Sequence, residues 1–212
     1  LPTGWGVEQQ ITCVDGSTFQ MYMANMKSIF MDMIKNTDMV IFNRCKKEDP
    51  LPTYRRGIKV ANQRAEVIFE DEEGELGDIF QDEMPFDMNA PVIEILPEDY
   101  GIWFVDAMDH PENYEGKTVK FKARVMKPRG MGSKFFVPGR TAMTCCADDT
   151  TFLGYVCKSA YAPKLTPGEW VEVTAKVGIE KRNEYQGEEG IVLAAEHVEQ
   201  CDPLEDEMVY FN

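Results

Sequence analysis

Long apolar runs and an excess of positive charge are both missing from this sequence. A membrane-spanning helix needs about 18 apolar residues, and every uncharged apolar stretch of this sequence is much shorter. The first residues carry neither a basic region nor a cleavage pattern of the kind found in signal peptides. The 22 basic residues are outnumbered by 37 acidic ones, and the net charge of -15 repels nucleic-acid backbones at long range. We therefore expect a cytoplasmic protein without a membrane segment, and the charge argues against non-specific nucleic-acid binding.

The motifs of common active sites are missing as well. There is no Gly-x-x-x-x-Gly-Lys-Ser/Thr phosphate loop, and no Ser/His/Asp order or carboxylate pair that is typical of hydrolases. The six cysteines show neither a C-x-x-C pair nor a regular disulfide framework. We interpret them as reduced thiols and expect no complete active site in this chain.

Short apolar segments near the start predict a parallel α/β unit. Ile11–Asp15 and Asp38–Cys45 lack two-residue alternation, which is typical of strands buried on both faces. Between them, apolar residues recur every three or four positions up to Ile34, as in an amphipathic helix. A short helix over Thr53–Ala61 and a strand over Ala65–Phe69 follow, and right-handed crossovers would make the three strands parallel.

The fold expected for residues 1–90 is thus part of a three-layer α/β nucleotide-binding domain. Ligands of such sheets lie beyond the carboxyl ends of the strands, where Asn43 stands. The acid-rich segment Glu70–Glu83 is interpreted as a solvated linker rather than a calcium loop.

Residues 91–212 change to the two-residue period of an all-β domain. In Lys117–Val125, apolar residues alternate with lysines and an arginine. A helix over Gly101–Tyr114 precedes five predicted strands, which fits a small OB-like β-barrel, with a sandwich as the alternative. The five strands are Lys117–Val125, Phe135–Thr144, Thr151–Cys157, Val171–Val177 and Gly190–Val198.

Residues 7–90 resemble the latter part of the GTPase domain of the CobW family, cytoplasmic proteins linked to zinc and cobalt handling. The segments that carry the resemblance are Cys13–Phe19, Asn25–Met26, Asp38–Arg44 and Asn62–Ala65. The resemblance implies GTP as the cofactor of the full-length protein.

The same resemblance implies that Asn43 and Arg44 bind the nucleotide. Asn43 matches the first position of the family's Asn-Lys-x-Asp motif, whereas Arg44 replaces the Lys and Lys46 replaces the guanine-selecting Asp. The family's phosphate loop, magnesium-binding segment and Cys-x-Cys-Cys motif would lie upstream of Leu1. We therefore expect a fragment that is not hydrolytic in this form.

The remainder of the chain resembles the C-terminal β domain of small uncharacterised bacterial proteins found beside predicted permeases. The resemblance rests on Tyr114–Lys117, on Gly139–Asp148 with its Thr-Cys-Cys-Ala stretch, on Trp170–Val173 and on Met208–Tyr210. It implies no particular biochemical activity.

Thiols and one histidine are the candidate metal ligands of the second half. Cys145 and Cys146 with His197 can bind zinc if the barrel brings them together, and Cys157 or Cys201 can complete the set. Adjacent residues of one strand point to opposite faces, so both cysteines reach one metal only where the strand ends or bulges. The alternative is a pair of buried structural thiols.

Basic side chains offer further candidates. Arg140 can hold an anion or lower the pKa of a thiol, and the alternative is a surface salt bridge. Lys127–Lys134 is interpreted as a flexible hairpin loop. With the basic face of the neighbouring strand and an aromatic at Phe135 or Phe136, this loop can also contribute to single-strand binding.

These observations support two functional hypotheses. The first is the C-terminal portion of a CobW-like GTP-binding protein, a metallochaperone or metal-homeostasis factor whose partner is a metal ion or a metalloprotein client. The second is an OB-like module that binds a protein or a single-stranded nucleic acid, with the α/β half as a scaffold. An open sheet edge would favour a homodimer that covers it.

Overall fold

The computed structural model of the protein describes residues 3–77, 84–144 and 149–210. These residues form two compact units, the first from residues 3–77, 143–144 and 149–151 and the second from residues 84–142 and 152–210. The boundary falls before residue 84 rather than at the predicted 90, because Met84 and Met88 accept hydrogen bonds from Tyr114 and Lys117 of the second unit. No helix within these described ranges is long and apolar enough to cross a membrane.

The first unit contains the predicted parallel sheet in the order β1-β2-β3. Helix α1 is capped at its start by the Asp15 side chain, which accepts from the Ser17 amide, and it has a non-helical backbone at Met26 (φ -138°, ψ 31°). The elements are β1 (Ile11–Asp15), α1 (Gly16–Ile34), β2 (Met39–Asn43), α2 (Leu51–Ala61) and β3 (Glu66–Phe69).

Both helices pack on the same face of this sheet. Val14, Phe42 and Phe69 stand in register and share one buried core with α1 and α2. On the opposite face Ile11 and Cys13 are exposed. The expected three-layer arrangement is therefore corrected to two layers in the described part of this unit. Strands added in one direction with right-handed crossovers place their helices on one side.

The second unit contains a closed five-stranded β-barrel. The end of β5 (Thr118–Met126) pairs with β6 (Phe135–Met143), and neighbours then follow through β8 (Val156–Lys158), β10 (Glu189–Gln200) and β9 (Trp170–Lys181) back to β5. The pairing of β8 with β10 is parallel and the other pairings in this ring are antiparallel. This connectivity gives the barrel an OB-like topology, in agreement with the predicted barrel.

The predicted strand over Thr151–Cys157 is in fact two strands, β7 (Thr150–Gly154) and β8. Tyr155 separates them, and its buried hydroxyl donates to the Phe104 carbonyl of α3 (Tyr100–Asp109). The ring of Tyr155 also packs on Trp103 with centroids 5.6 Å apart. The interruption is therefore imposed by packing against the helix. Two short strands, β4 (Ile93–Glu94) and β11 (Met208–Val209), extend the sheet in parallel pairings with β5 and β6.

Substitution of Gly16 by alanine tests how tightly α1 meets the end of β2. A Cβ at position 16 would lie 2.8 Å from the Cys45 Sγ and 3.0 Å from the Asn43 carbonyl oxygen. We expect Gly16→Ala to lower the free energy of unfolding by about 1–3 kcal/mol through this overpacking, measured by urea denaturation. The control is Gly57→Ala inside α2, where a Cβ meets nothing within 4 Å; it should raise stability by about 0.5–1 kcal/mol. Equal midpoints for the two variants would contradict the close approach.

Candidate functional site

The carboxyl ends of β1 and β2 meet at one edge of the parallel sheet. Asp15 and Asn43 are paired in register, and Arg44 Nη1 donates to the Asp15 carboxylate at 2.7 Å. The same carboxylate accepts from the Ser17 amide at 3.0 Å and the Ser17 hydroxyl at 2.6 Å. The hydrogen bond from Ser17 and the charge of Arg44 lower the pKa of Asp15, so this edge carries an ionised carboxylate at neutral pH.

Asn43 and Arg44, the two residues predicted to bind a nucleotide, lie side by side at this edge. The Asn43 side chain is exposed and has no hydrogen bond to another residue in the described part of the chain. Arg44 is 72% exposed and has a left-handed backbone with φ of 55°, a conformation that is uncommon outside glycine, asparagine and aspartate. The edge therefore presents a carboxamide and a guanidinium to solvent.

The loop after Arg44 is held in place by backbone hydrogen bonds. The Lys46 amide donates to the Asp49 carboxylate at 2.8 Å, and the amide of buried Cys45 donates to the Glu70 carbonyl at 2.9 Å. Asp49 thus brings a carboxylate to the backbone of the position where the CobW motif has its Asp. One oxygen of that carboxylate is already engaged within the loop.

The predicted metal ligands are not assembled by the described residues. Cys145 and Cys146 lie outside these residues. His197 stands on the surface of β10, 65% exposed, with its Nε2 3.3 Å from a Glu199 carboxylate oxygen. Cys157 is fully buried, and desolvation raises the pKa of its thiol to about 12. Within residues 3–77, 84–144 and 149–210, no group of three or more His, Cys, Asp or Glu side chains is arranged to hold a metal ion.

The surroundings of Arg140 fit neither of the two roles that the sequence suggests for it. Its side chain is 2% exposed rather than on the surface. The guanidinium donates to the carbonyls of Pro97 at 2.5 Å and of Asp206 and Met208 at 3.0 Å each, and it lies 5.6 Å from the centroid of the Tyr100 ring. The predicted surface salt bridge is therefore wrong. The predicted anion-binding or thiol-activating role is corrected to a structural one, in which Arg140 joins Pro97 to residues 206–208 by hydrogen bonds that we call the Arg140 clasp.

A groove of about 600 Å³ lies at one end of the barrel, lined by residues 128–132 and 181–184. The Arg182 guanidinium carbon lies 4.3 Å from the centroid of the Phe135 ring. The basic character of the first loop is evident from the sequence. Its proximity to Lys181 and Arg182 was missed, although this pair stands just before the turn at 185–187 that the sequence indicates.

Removal of the Arg140 guanidinium should destabilise the barrel unit strongly. Arg140→Ala removes a buried guanidinium and leaves three backbone carbonyls without their donor. We expect a loss of about 3 kcal/mol in the free energy of unfolding. Arg129→Ala, at an exposed loop position, is the control and should stay within about 0.5 kcal/mol of the wild type. Urea unfolding followed by tryptophan fluorescence measures both. Equal stabilities would show that the clasp contributes nothing.

Several solved structures are similar to part of the chain. A mitochondrial single-stranded DNA-binding protein from S. cerevisiae is 10% identical, with 41% of this chain and 95% of that chain covered and a TM-score of 0.24. A putative aspartyl-tRNA synthetase from Leishmania major Friedlin is 18% identical, with 51% and 20% covered and a TM-score of 0.27. The aspartyl-tRNA synthetase from Entamoeba histolytica is 15% identical, with 56% and 27% covered and a TM-score of 0.28. At these TM-scores, the assignment of the barrel rests on its own strand pairing.

Sequence comparison assigns the family directly. No curated protein matches the chain. A family model described as the DUF1980 C-terminal domain matches residues 75–211, which include every strand of the barrel. Because this match spans more than half of the chain, the protein belongs to the DUF1980 C-terminal domain family.

Proposed function

We propose that this chain is part of a CobW-like GTP-binding protein of metal homeostasis, with the edge formed by Asp15, Asn43 and Arg44 as the base side of its nucleotide site. The observation that carries the proposal is the register pairing of Asp15 with Asn43 at the carboxyl ends of two parallel strands. Ligands of open α/β sheets bind at such ends. The exposed Asn43 carboxamide supplies both a donor and an acceptor, as the edge of a nucleobase requires.

The residues at this edge fit a nucleobase in one respect and depart from guanine recognition in another. Asn43 is accessible for hydrogen bonding, whereas Lys46 replaces the motif's Asp and its amide engages Asp49. We therefore expect base binding with little preference for guanine over adenine. GTP, when bound in the full-length protein, would supply the energy of its hydrolysis. These 212 residues contain no phosphate loop, so we propose no turnover in this form.

Titration with nucleotides tests the base side directly. We expect GTP at about 1 mM to shift the amide NMR signals of residues 15–17 and 43–46, and ATP to do so with similar affinity. Asn43→Ala should weaken binding by about tenfold, the effect of one lost hydrogen-bonding group. Asn25→Ala is the matched control, because Asn25 lies on α1 about 13 Å along the helix axis from its first residue, Gly16.

Two results would contradict this part of the proposal. One is an absence of shifts at the edge, and the other is unchanged binding by the Asn43→Ala variant. GTP turnover by the chain well above the buffer rate, abolished by Asn43→Ala, would contradict the non-hydrolytic form.

A divalent metal, zinc in the first instance, is the proposed cargo, handed to a metalloprotein client. Strand β6 ends at Met143 and β7 begins at Thr150. The Thr144 amide and hydroxyl both donate to the Asp149 carbonyl, at 3.0 and 2.7 Å. Cys145 and Cys146 follow the last residue of β6 by two and three positions in the sequence. Two thiolates are strong zinc ligands.

Metal analysis tests the cargo proposal. We expect the purified chain to retain about one zinc after dialysis, and the double variant Cys145→Ala, Cys146→Ala to lose it. The matched control, Cys13→Ala with Cys45→Ala, removes two thiols of the first unit, neither of them a predicted zinc ligand, and should keep the zinc. Elemental analysis by mass spectrometry provides the readout. Equal zinc contents in the two double variants would exclude the adjacent thiols as ligands.

A further inference from the structure

We propose that the groove between residues 128–132 and 181–184 binds single-stranded nucleic acid, a second binding activity separate from the nucleotide edge of the first unit. The two loops lie close enough together to line one open groove of about 600 Å³. Loops in these positions, between the first and second and between the last two strands of an OB-like barrel, face a common surface.

The groove is lined by three cations, Arg129, Lys181 and Arg182, and one anion, Glu184, whereas the whole chain has an excess of acidic residues. The segment 127–134 contains Lys127, Arg129 and Lys134 and no acidic residue. Arg129 and Lys134 are exposed, and neither forms an ion pair with another described residue. Lys181, also exposed, lies in the second lining segment. Arg129 and Lys181 line the groove, and Lys134, which is not among its lining residues, adds a third exposed cation to the loop.

Arg182 has a different role because its charge is already compensated. Its guanidinium pairs with Glu184 at 2.9 Å and lies 3.8 Å from Glu180, while its carbon centre stands 4.3 Å from the centroid of the Phe135 ring. The ion pairs and the aromatic ring hold the guanidinium in place between them. Arg182 thus forms a fixed wall of the groove and leaves phosphate contacts to its neighbours.

An exposed aromatic ring lies in the connection that is hydrogen-bonded to this basic loop, outside the groove lining. Lys127 Nζ donates to the carbonyls of Ala162 and Leu165 at 2.5 Å each, and the Ser159 amide donates to the Lys134 carbonyl at 2.9 Å. The connection between β8 and β9 is thereby tied to both ends of the basic segment. It carries Tyr161, which is 54% exposed. The Lys164 ammonium lies 5.5 Å from the centroid of this ring. Exposed cations together with an exposed aromatic ring are the combination that binds unpaired bases.

The composition of the site favours a single strand over an acidic protein. An acidic peptide would engage the cations but gain nothing from stacking on Tyr161. A single strand uses both, and its spaced phosphates suit the separate cations on the two loops. The net charge of -15 opposes every polyanion at long range, so binding should be weak and should decline steeply with salt.

Fluorescence anisotropy with a labelled oligothymidylate of about 16 nucleotides tests the inference. At about 50 mM salt we expect saturable binding, reduced at least about tenfold by Arg129→Glu with Lys181→Glu, and a salt slope shallower by about 0.7 for each removed cation. The control, Lys47→Glu with Lys176→Glu, changes the net charge equally outside the groove and should retain most of the affinity.

Stacking is tested separately from charge. Tyr161→Ala should weaken binding by about fivefold or more, whereas Tyr210→Ala, which removes a similarly exposed ring elsewhere, should not. Circular dichroism of each variant confirms that the barrel remains folded.

Three results would overturn the inference. The first is no binding at low salt, and the second is an equal loss in the groove and control variants. The third is a polyglutamate peptide that binds as tightly as the oligonucleotide while Tyr161→Ala has no effect, which would assign the groove to an acidic protein partner.

Discussion

Closure of the barrel is the constraint on which the second unit depends. Arg124 at the end of β5 pairs with Gly139 in β6, and this pairing joins the two edges of what would otherwise be an open sheet. Position 139 admits only glycine, since a Cβ there would lie 2.3 Å from the Leu153 carbonyl oxygen. The same closure holds the β5–β6 connection at the end of the barrel, where it faces residues 181–184. The strand pairing that closes the barrel therefore also holds one of the two loops that line the groove.

The two units use charged side chains in opposite ways. Asp15 and Arg44 form their ion pair where Arg44 is largely exposed, so either side chain can be redirected toward a ligand at small cost. Arg140 is buried and bound to three backbone carbonyls, so its charge has no freedom to act elsewhere. The first arrangement suits a binding edge, and the second suits a permanent connection within the fold.

Much of the fold follows from local patterns in the sequence. The three- and four-residue spacing of apolar residues predicted α1, and the alternation in Lys117–Val125 predicted β5, because each depends on burying one face of one element. The position of Asn43 at the carboxyl end of its strand followed from the predicted parallel sheet, whereas its pairing with Asp15 is evident only from the structure.

Features that depend on distant partners could not be predicted in this way. The side of the sheet on which α2 packs depends on strand order, which sequence periodicity does not encode. The break between β7 and β8 is fixed by Tyr155 against α3. The acceptors of Arg140 lie 43 residues before it and 66 and 68 residues after it. They are backbone carbonyls, whose presence no side-chain pattern reveals.

Those separations have a consequence for how the chain folds. Helices and strands of the first unit pair with near neighbours along the sequence, whereas the Arg140 clasp needs residue 97 and residues 206 to 208 at the same time. Long-range contacts form late because they carry a larger cost in loop-closure entropy. During synthesis the parallel sheet over residues 11–69 can form while Arg140 is still hydrated, whereas the hydrogen bonds of Arg140 can form only after residue 208 has been added. We therefore expect a folding intermediate in which the parallel sheet is formed and the hydrogen bonds of Arg140 are not.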